Sequence, residues 1–155
     1  MSEERRAREE QEKPPHRPSG RMPSRVVATW AGAQRFDVGL VGDQTIRIDG
    51  NHESGPSPVD ALLGALASCV GIDVTDILGK RRTPVEVMTV RVDGERANAT
   101  PARVTRVLLE FEIRGAGIER AHAERAIDLA VTKYCSVRDT LDPAMPIEWT
   151  LTLES

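Results

Sequence analysis

Apolar and polar residues alternate along several stretches of this chain. Between Arg103 and Arg114, Val107, Leu109, Phe111 and Ile113 share one parity, and Arg106, Glu110, Glu112 and Arg114 share the other. That period of two predicts a strand with one buried face. Ile147, Trp149, Leu151 and Leu153 alternate with Glu148, Thr150, Thr152 and Glu154 in a closing strand. Nearer the N-terminus, Arg25–Trp30, Gln34–Val41 and Gln44–Ile48 read as strands, separated by the turn signals Ala31-Gly-Ala33 and Gly42-Asp43. Short turns of this kind predict an antiparallel meander. Val85–Val92 alternates as a further strand, with Asp93-Gly94 read as the turn that ends it.

Two segments carry helical patterns. Pro58 can open a helix with Ser57 as N-cap and Asp60 in the first turn, and the pattern runs to about Lys80. Its first half is apolar nearly all round, which predicts burial on most faces. Gly64, Ser68, Gly71 and Thr75 form a stripe of small residues along which another backbone can approach closely, while Asp73, Asp76 and Lys80 restore a polar face. Glu119–Tyr134 is amphipathic, with Ile127, Ala130, Val131 and Tyr134 at helical spacing. The predicted order is β-β-β-α-β-β-α-β, an α+β domain over residues 25–155 with helices on one side of antiparallel strands. Before it, residues 1–24 are charged and then rich in proline (Pro14, Pro15, Pro18, Pro23), a composition expected to stay disordered.

Composition narrows the function classes. At 155 residues, with 39% hydrophobic and 29% charged, the chain is long enough for one domain with a core. A net charge of -3 lacks the basic excess of a nucleic-acid binder, so no nucleic-acid partner is expected. The N-terminus shows no apolar signal region. The apolar run Ala61–Ile72 is short for a bilayer span and contains Ser68 and glycines. A cytoplasmic protein with no membrane partner is the expectation. Thiols stay reduced in that compartment, so cysteines there are catalytic or inert rather than permanent staples.

The chain has two cysteines. Cys69 sits in the apolar helix among Leu62, Ala65, Leu66 and Ile72; Cys135 ends the second helical pattern at Lys133-Tyr-Cys-Ser-Val137. A buried free cysteine is most often a small hydrophobe. A redox centre asks for more: a reactive thiolate and a second thiol able to reach the oxidised sulfur. The residue pattern leaves open whether the two thiols meet. A structural zinc site needs four ligands at close spacing, and His16, His52 and His122 do not pair with the cysteines in that way. Cys-His hydrolase chemistry has only His52 as a base, and Gly115-Ala-Gly117 is too short for a dinucleotide fingerprint. No metal or organic cofactor is expected.

The residues around both cysteines resemble the OsmC/Ohr family of thiol-dependent hydroperoxide reductases. The matching positions are Ser57-Pro58 with Leu62-Leu-Gly-Ala-Leu-Ala-Ser-Cys69, and Ala130-Val-Thr-Lys-Tyr-Cys-Ser-Val137. The resemblance extends over about residues 26–154 and is closer to the broad OsmC-like branch than to the Ohr branch. It implies an OsmC-like fold with a buried central cysteine helix in an intertwined homodimer. It also implies a peroxidatic Cys69, a resolving Cys135, an organic hydroperoxide substrate and an external dithiol reductant. The family arginine that supports the thiolate matches Arg35 best, with Arg47 second. The family glutamate that orients this arginine falls at Val59 here, leaving Asp60 and Glu53 as the nearby carboxylates. Two other readings stand beside the peroxidase: a non-catalytic dimeric domain binding a small molecule in an apolar pocket, and a thiol redox sensor.

Overall fold

In the computed structural model, residues 21–154 are described; most of the tail expected to be disordered, residues 1–20, lies outside them. The three N-terminal strands form the expected antiparallel meander: β1 (Val27–Trp30), β2 (Arg35–Gly39) and β3 (Thr45–Asp49). Trp30 lies opposite Phe36, and Asp37 opposite Arg47. The β1–β2 turn closes tightly because Gly32 and Ala33 both take positive φ, +91° and +48°. Asp49 ends β3. Its buried carboxylate accepts hydrogen bonds from the backbone N–H groups of Asn51 and Ser54 and from the Ser54 hydroxyl. Those bonds, the Asn51 N–H foremost, hold its pKa below the usual carboxylate range and fix the entry to the following loop.

The cysteine helix, α1, spans Pro58–Lys80. Ser57 accepts from the Asp60 N–H while Asp60 accepts from the Ser57 N–H, a complete capping box, and proline occupies the first turn. Leu66, Val70, Gly71, Val74 and Leu78 are its buried positions. The expectation of burial on most faces needs correcting for a single chain. Leu62 and Ile72 remain exposed, because the rest of the fold packs on only one side of the helix. By length and mean hydropathy (1.7) α1 could cross a membrane, but its buried stripe packs into the core of this domain.

Strands β4 (Val87–Arg96), β5 (Val104–Arg114) and β6 (Ile147–Glu154) make the second sheet, in the order β4-β5-β6. Two expectations are overturned here. Asp93-Gly94 is not a turn, for both residues pair within the ladder, opposite Leu108 and Val107. A Cβ on Gly94 would come within 2.8 Å of Leu63 Cδ1, so the glycine permits α1 to sit close against the sheet. Second, the sheet is mixed: β4 pairs antiparallel with β5, but β6 runs parallel to β5. The long crossover that a parallel pair requires is supplied by α2 (Arg120–Leu129), a π-helical segment (Ala130–Tyr134) and α3 (Ser136–Thr140). Val107, Leu109, Phe111 and Ile113 are almost wholly buried, as their alternation predicts. They meet Leu66, Val70, Val74 and Leu78 of α1 and Ala126, Ile127 and Ala130 of the crossover in one core.

Candidate functional site

Cys69 lies on α1 one turn past Leu66, half-buried and packed against the core. Cys135 is 3% exposed at the end of the crossover helix. The path between them depends on the π segment. An α-helix advances 100° per residue, and a π turn holds one residue more, so it alters the direction in which the next side chain emerges. The widened turn closes where the Cys135 N–H donates to the Ala130 carbonyl at 2.9 Å. Cys135 then caps α3, its Sγ accepting from the Arg138 N–H at 3.3 Å.

The two thiols are neighbours. Burial pushes the Cys135 thiol up to about 11, and the adjacent Cys69 thiol adds to that rise, against the opposing N–H groups of Arg138 and Val137. Both cysteines are free thiols. The pair lies on two different elements, a proximity that sequence spacing alone left open. Among the described residues, no group of three or more His, Cys, Asp or Glu side chains is placed to hold a metal ion.

The remaining candidates sit apart from the thiols within one chain. Arg35 in β2 is half-buried, and its Nε donates to the Gly32 carbonyl at 3.4 Å. Arg47 in β3 is committed to Asp37 by two hydrogen bonds, 2.6 and 3.2 Å. This pairing holds the Asp37 carboxyl below its usual range. Asp60 serves the capping box and also meets His52 Nε2 at 2.8 Å. The Ser57 N–H is the largest influence holding the Asp60 pKa low. Glu53 lies in the exposed loop before the helix. Among the described residues, no hydrogen bond or ion pair joins Arg35, Asp60 or Glu53 to either cysteine.

Val59, at the position where the family has its glutamate, helps line an apolar cavity of about 270 Å³ with Leu62, Leu63, Leu66, Val104 and Met145. Leu62 and Leu66 are also among the apolar helix neighbours of Cys69 named from the sequence. Two features were missed: the π segment that aims Cys135, and the Arg138 N–H that meets its sulfur. Neither leaves a side-chain signature, because both are made by backbone geometry.

Comparisons with known proteins agree with this fold. The family model described as OsmC-like protein matches residues 50–150. Protein YhfA of Escherichia coli is 38% identical over 119 residues, covering 76% of this chain and 89% of its own. The fold is similar to that of an OsmC-like protein from Mycoplasma pneumoniae, with a TM-score of 0.73 at 19% identity over 86% of this chain and 99% of that one. It is also similar to the organic hydroperoxide resistance protein OhrB of Bacillus subtilis, with a TM-score of 0.57 at 12% identity over 86% and 98% of the two chains. At those identities the two structures speak for the fold alone.

Proposed function

Because this chain belongs to the OsmC-like protein family, we propose that it is a cytoplasmic thiol-dependent peroxidase that reduces organic hydroperoxides in defence against oxidative stress. Family membership supports the broader reading, a redox function linked to oxidative stress. The observation that carries the finer one is the contact between the chain's two thiols, on separate elements, with one of them held protonated.

The chemistry divides between the cysteines. The Cys69 thiolate attacks the terminal oxygen of the hydroperoxide. The O–O bond breaks, the alkoxide takes a proton and leaves as an alcohol, and Cys69 becomes a sulfenic acid. The Cys135 sulfur then attacks that sulfenic sulfur, an S–S bond forms, and water departs. An external dithiol restores both thiols and is itself oxidised. A thiol with a pKa of about 11 is thiolate in roughly one molecule in ten thousand at neutral pH. That suits Cys135 to resolving rather than to first attack.

The proposed protein is an intertwined homodimer. Exposed Val27, Trp30, Phe36 and Ile46 on the first sheet are surface that a second copy can cover. Arg35, with no ion pair among the described residues of its own chain, is assigned to the partner's Cys69 thiolate across that dimer.

Intact-mass analysis tests the reading. Reduced protein is given one equivalent of an organic hydroperoxide, then denatured and alkylated within seconds. Loss of both thiols with two hydrogens gone and no added oxygen is expected; two thiols still open to alkylation would sink it. The apolar cavity beside Val59 favours a second reading, a non-catalytic binding domain, which predicts that unreactive result together with stabilisation by an apolar ligand.

A further inference from the structure

Helix α3 is five residues long, far below the length at which a helix holds itself in water. It is held at its two ends, and both ends lead to Arg138. At the front, the Arg138 N–H donates to Cys135 Sγ at 3.3 Å. At the back, the Leu141 N–H donates to the Arg138 carbonyl at 3.1 Å. The side chain then reaches past the helix. Its Nη1 donates to the Asp142 carbonyl at 3.1 Å, and its Nη2 to the carbonyls of Pro143 and Met145 at 3.4 and 3.2 Å.

Those carbonyls belong to a segment that is itself anchored. Met145 is 7% exposed and packs in the same core as Cys135. The Pro146 carbonyl accepts from the Val107 N–H at 3.0 Å, and Ile147 opens β6 opposite Val107. A guanidinium suits this arrangement, because its planar fork presents several donors in fixed directions. One residue thus ties the helix that Cys135 caps to the strand that pairs with β5. The sulfur needs that support. A thiol sulfur is a weak acceptor, so its bond to one N–H cannot by itself fix where the sulfur points.

We infer that Arg138 is the positioning residue of the resolving step: by fastening α3 to the start of β6, it keeps the Cys135 sulfur beside Cys69. This role rests on the proposed disulfide cycle and decides how the intermediate of that cycle ends. Two reactions compete for the Cys69 sulfenic acid. In one, the Cys135 sulfur attacks the sulfenic sulfur. The S–S bond forms, the S–O bond breaks, and the hydroxyl leaves with the Cys135 proton as water. In the other, the sulfenic sulfur attacks a second hydroperoxide. The O–O bond breaks, an alcohol leaves, and Cys69 becomes a sulfinic acid that thiols do not restore. A Cys135 sulfur held in place favours the first reaction, and one that wanders gives time to the second.

The test follows each thiol separately in the full-length protein. Reduced protein receives cumene hydroperoxide and is quenched with acid at intervals, and each cysteine peptide is weighed after alkylation. In the unaltered protein Cys69 and Cys135 should lose their free thiols together. In Arg138→Ala, Cys69 should react at its original rate, with Cys135 following at least about tenfold more slowly, since misplacing a reacting group costs that much or more. Excess peroxide should then leave Cys69 with two added oxygens. Arg138→Lys, which keeps donors at the same place, should recover part of the closing rate. Ile113→Val, which loosens the core and leaves the Arg138 bonds intact, should show no lag. Prompt closure in Arg138→Ala, or an equal lag in Ile113→Val, would overturn the proposal. Where Arg138→Ala fails to fold, Arg138→Lys must itself close more slowly than the unaltered protein, and an equal rate overturns it. If peroxide leaves the unaltered thiols free, the peroxidase reading fails, and diamide replaces the peroxide as acceptor of the pair's two hydrogens. Slower closure in Arg138→Ala then still supports the placement of Cys135, whereas equal closure, or a pair that diamide also fails to close, overturns it.

Discussion

The two sheets of this chain have opposite relations to its core. Strands β4–β6 bury Val107, Leu109, Phe111 and Ile113 under α1 and the crossover helices. Strands β1–β3 bury almost nothing: all four residues of β1 are exposed, and Trp30 is 65% exposed. An isolated three-stranded sheet with one apolar face is marginal in water unless something packs on it. The contrast teaches that one chain carries a body with a core of its own and an arm without one. The two cysteines lie in the body, whereas Arg35, the cation proposed to assist Cys69, lies in the arm.

The largest effect expected from breaking this comparison lies in the body. Phe111→Ala should cost about 3–5 kcal/mol, the range for emptying an aromatic site in a core, read as a lowered urea midpoint. The corresponding change in the arm, Trp30→Ser with Ile46→Ser, should leave the body folded and instead turn the proposed dimer into a monomer. Sedimentation over a range of concentrations distinguishes the two. A variant that stays dimeric would show that another surface joins the copies.

A pH profile sharpens the comparison from inside the body. Burial disfavours the charged Cys135 thiolate, so the thiol stays protonated through neutral pH and ionises only as the pH approaches about 11. In Cys69→Ser, alkylation of Cys135 should accelerate about tenfold per pH unit above neutrality, the slope set by thiolate fraction. Its midpoint should stay above that of the unfolded protein, because burial, the largest cause of the shift, remains. Coincident profiles would show that the thiol is not held in a buried site.

The smallest effect is expected in the arm. Removing a cation from beside a thiolate raises the thiol pKa by about one unit or more. Arg35→Ala should therefore slow peroxide consumption roughly tenfold at neutral pH, with the loss shrinking as the pH rises and the thiolate forms unaided. Arg47→Ala should leave the rate near its original value, since Arg47 is spent on Asp37. Equal losses at both positions would point to damage to the sheet rather than to a role at the thiol.

Much of this molecule was legible in the order of its residues. Alternation named the buried face of β5, and Ser57, Pro58 and Asp60 marked the start of the cysteine helix, because these are local rules: a strand repeats every two residues, and a cap is made within one turn. The chain also held the motifs around Cys69 and Cys135 that carry the family resemblance. Tertiary structure decided what distant segments do to one another. It made β6 parallel to β5, since strand direction follows from where the crossover returns rather than from the pattern of the strand itself. It drew Asp93-Gly94 into a ladder, since a glycine that admits Leu63 and a glycine that turns the chain look alike in sequence. It left one side of an apolar helix bare, since burial depends on what else is present to cover it. Above all it brought Cys69 and Cys135 together, a contact set by the packing of α1 against a π-widened crossover that no local pattern records.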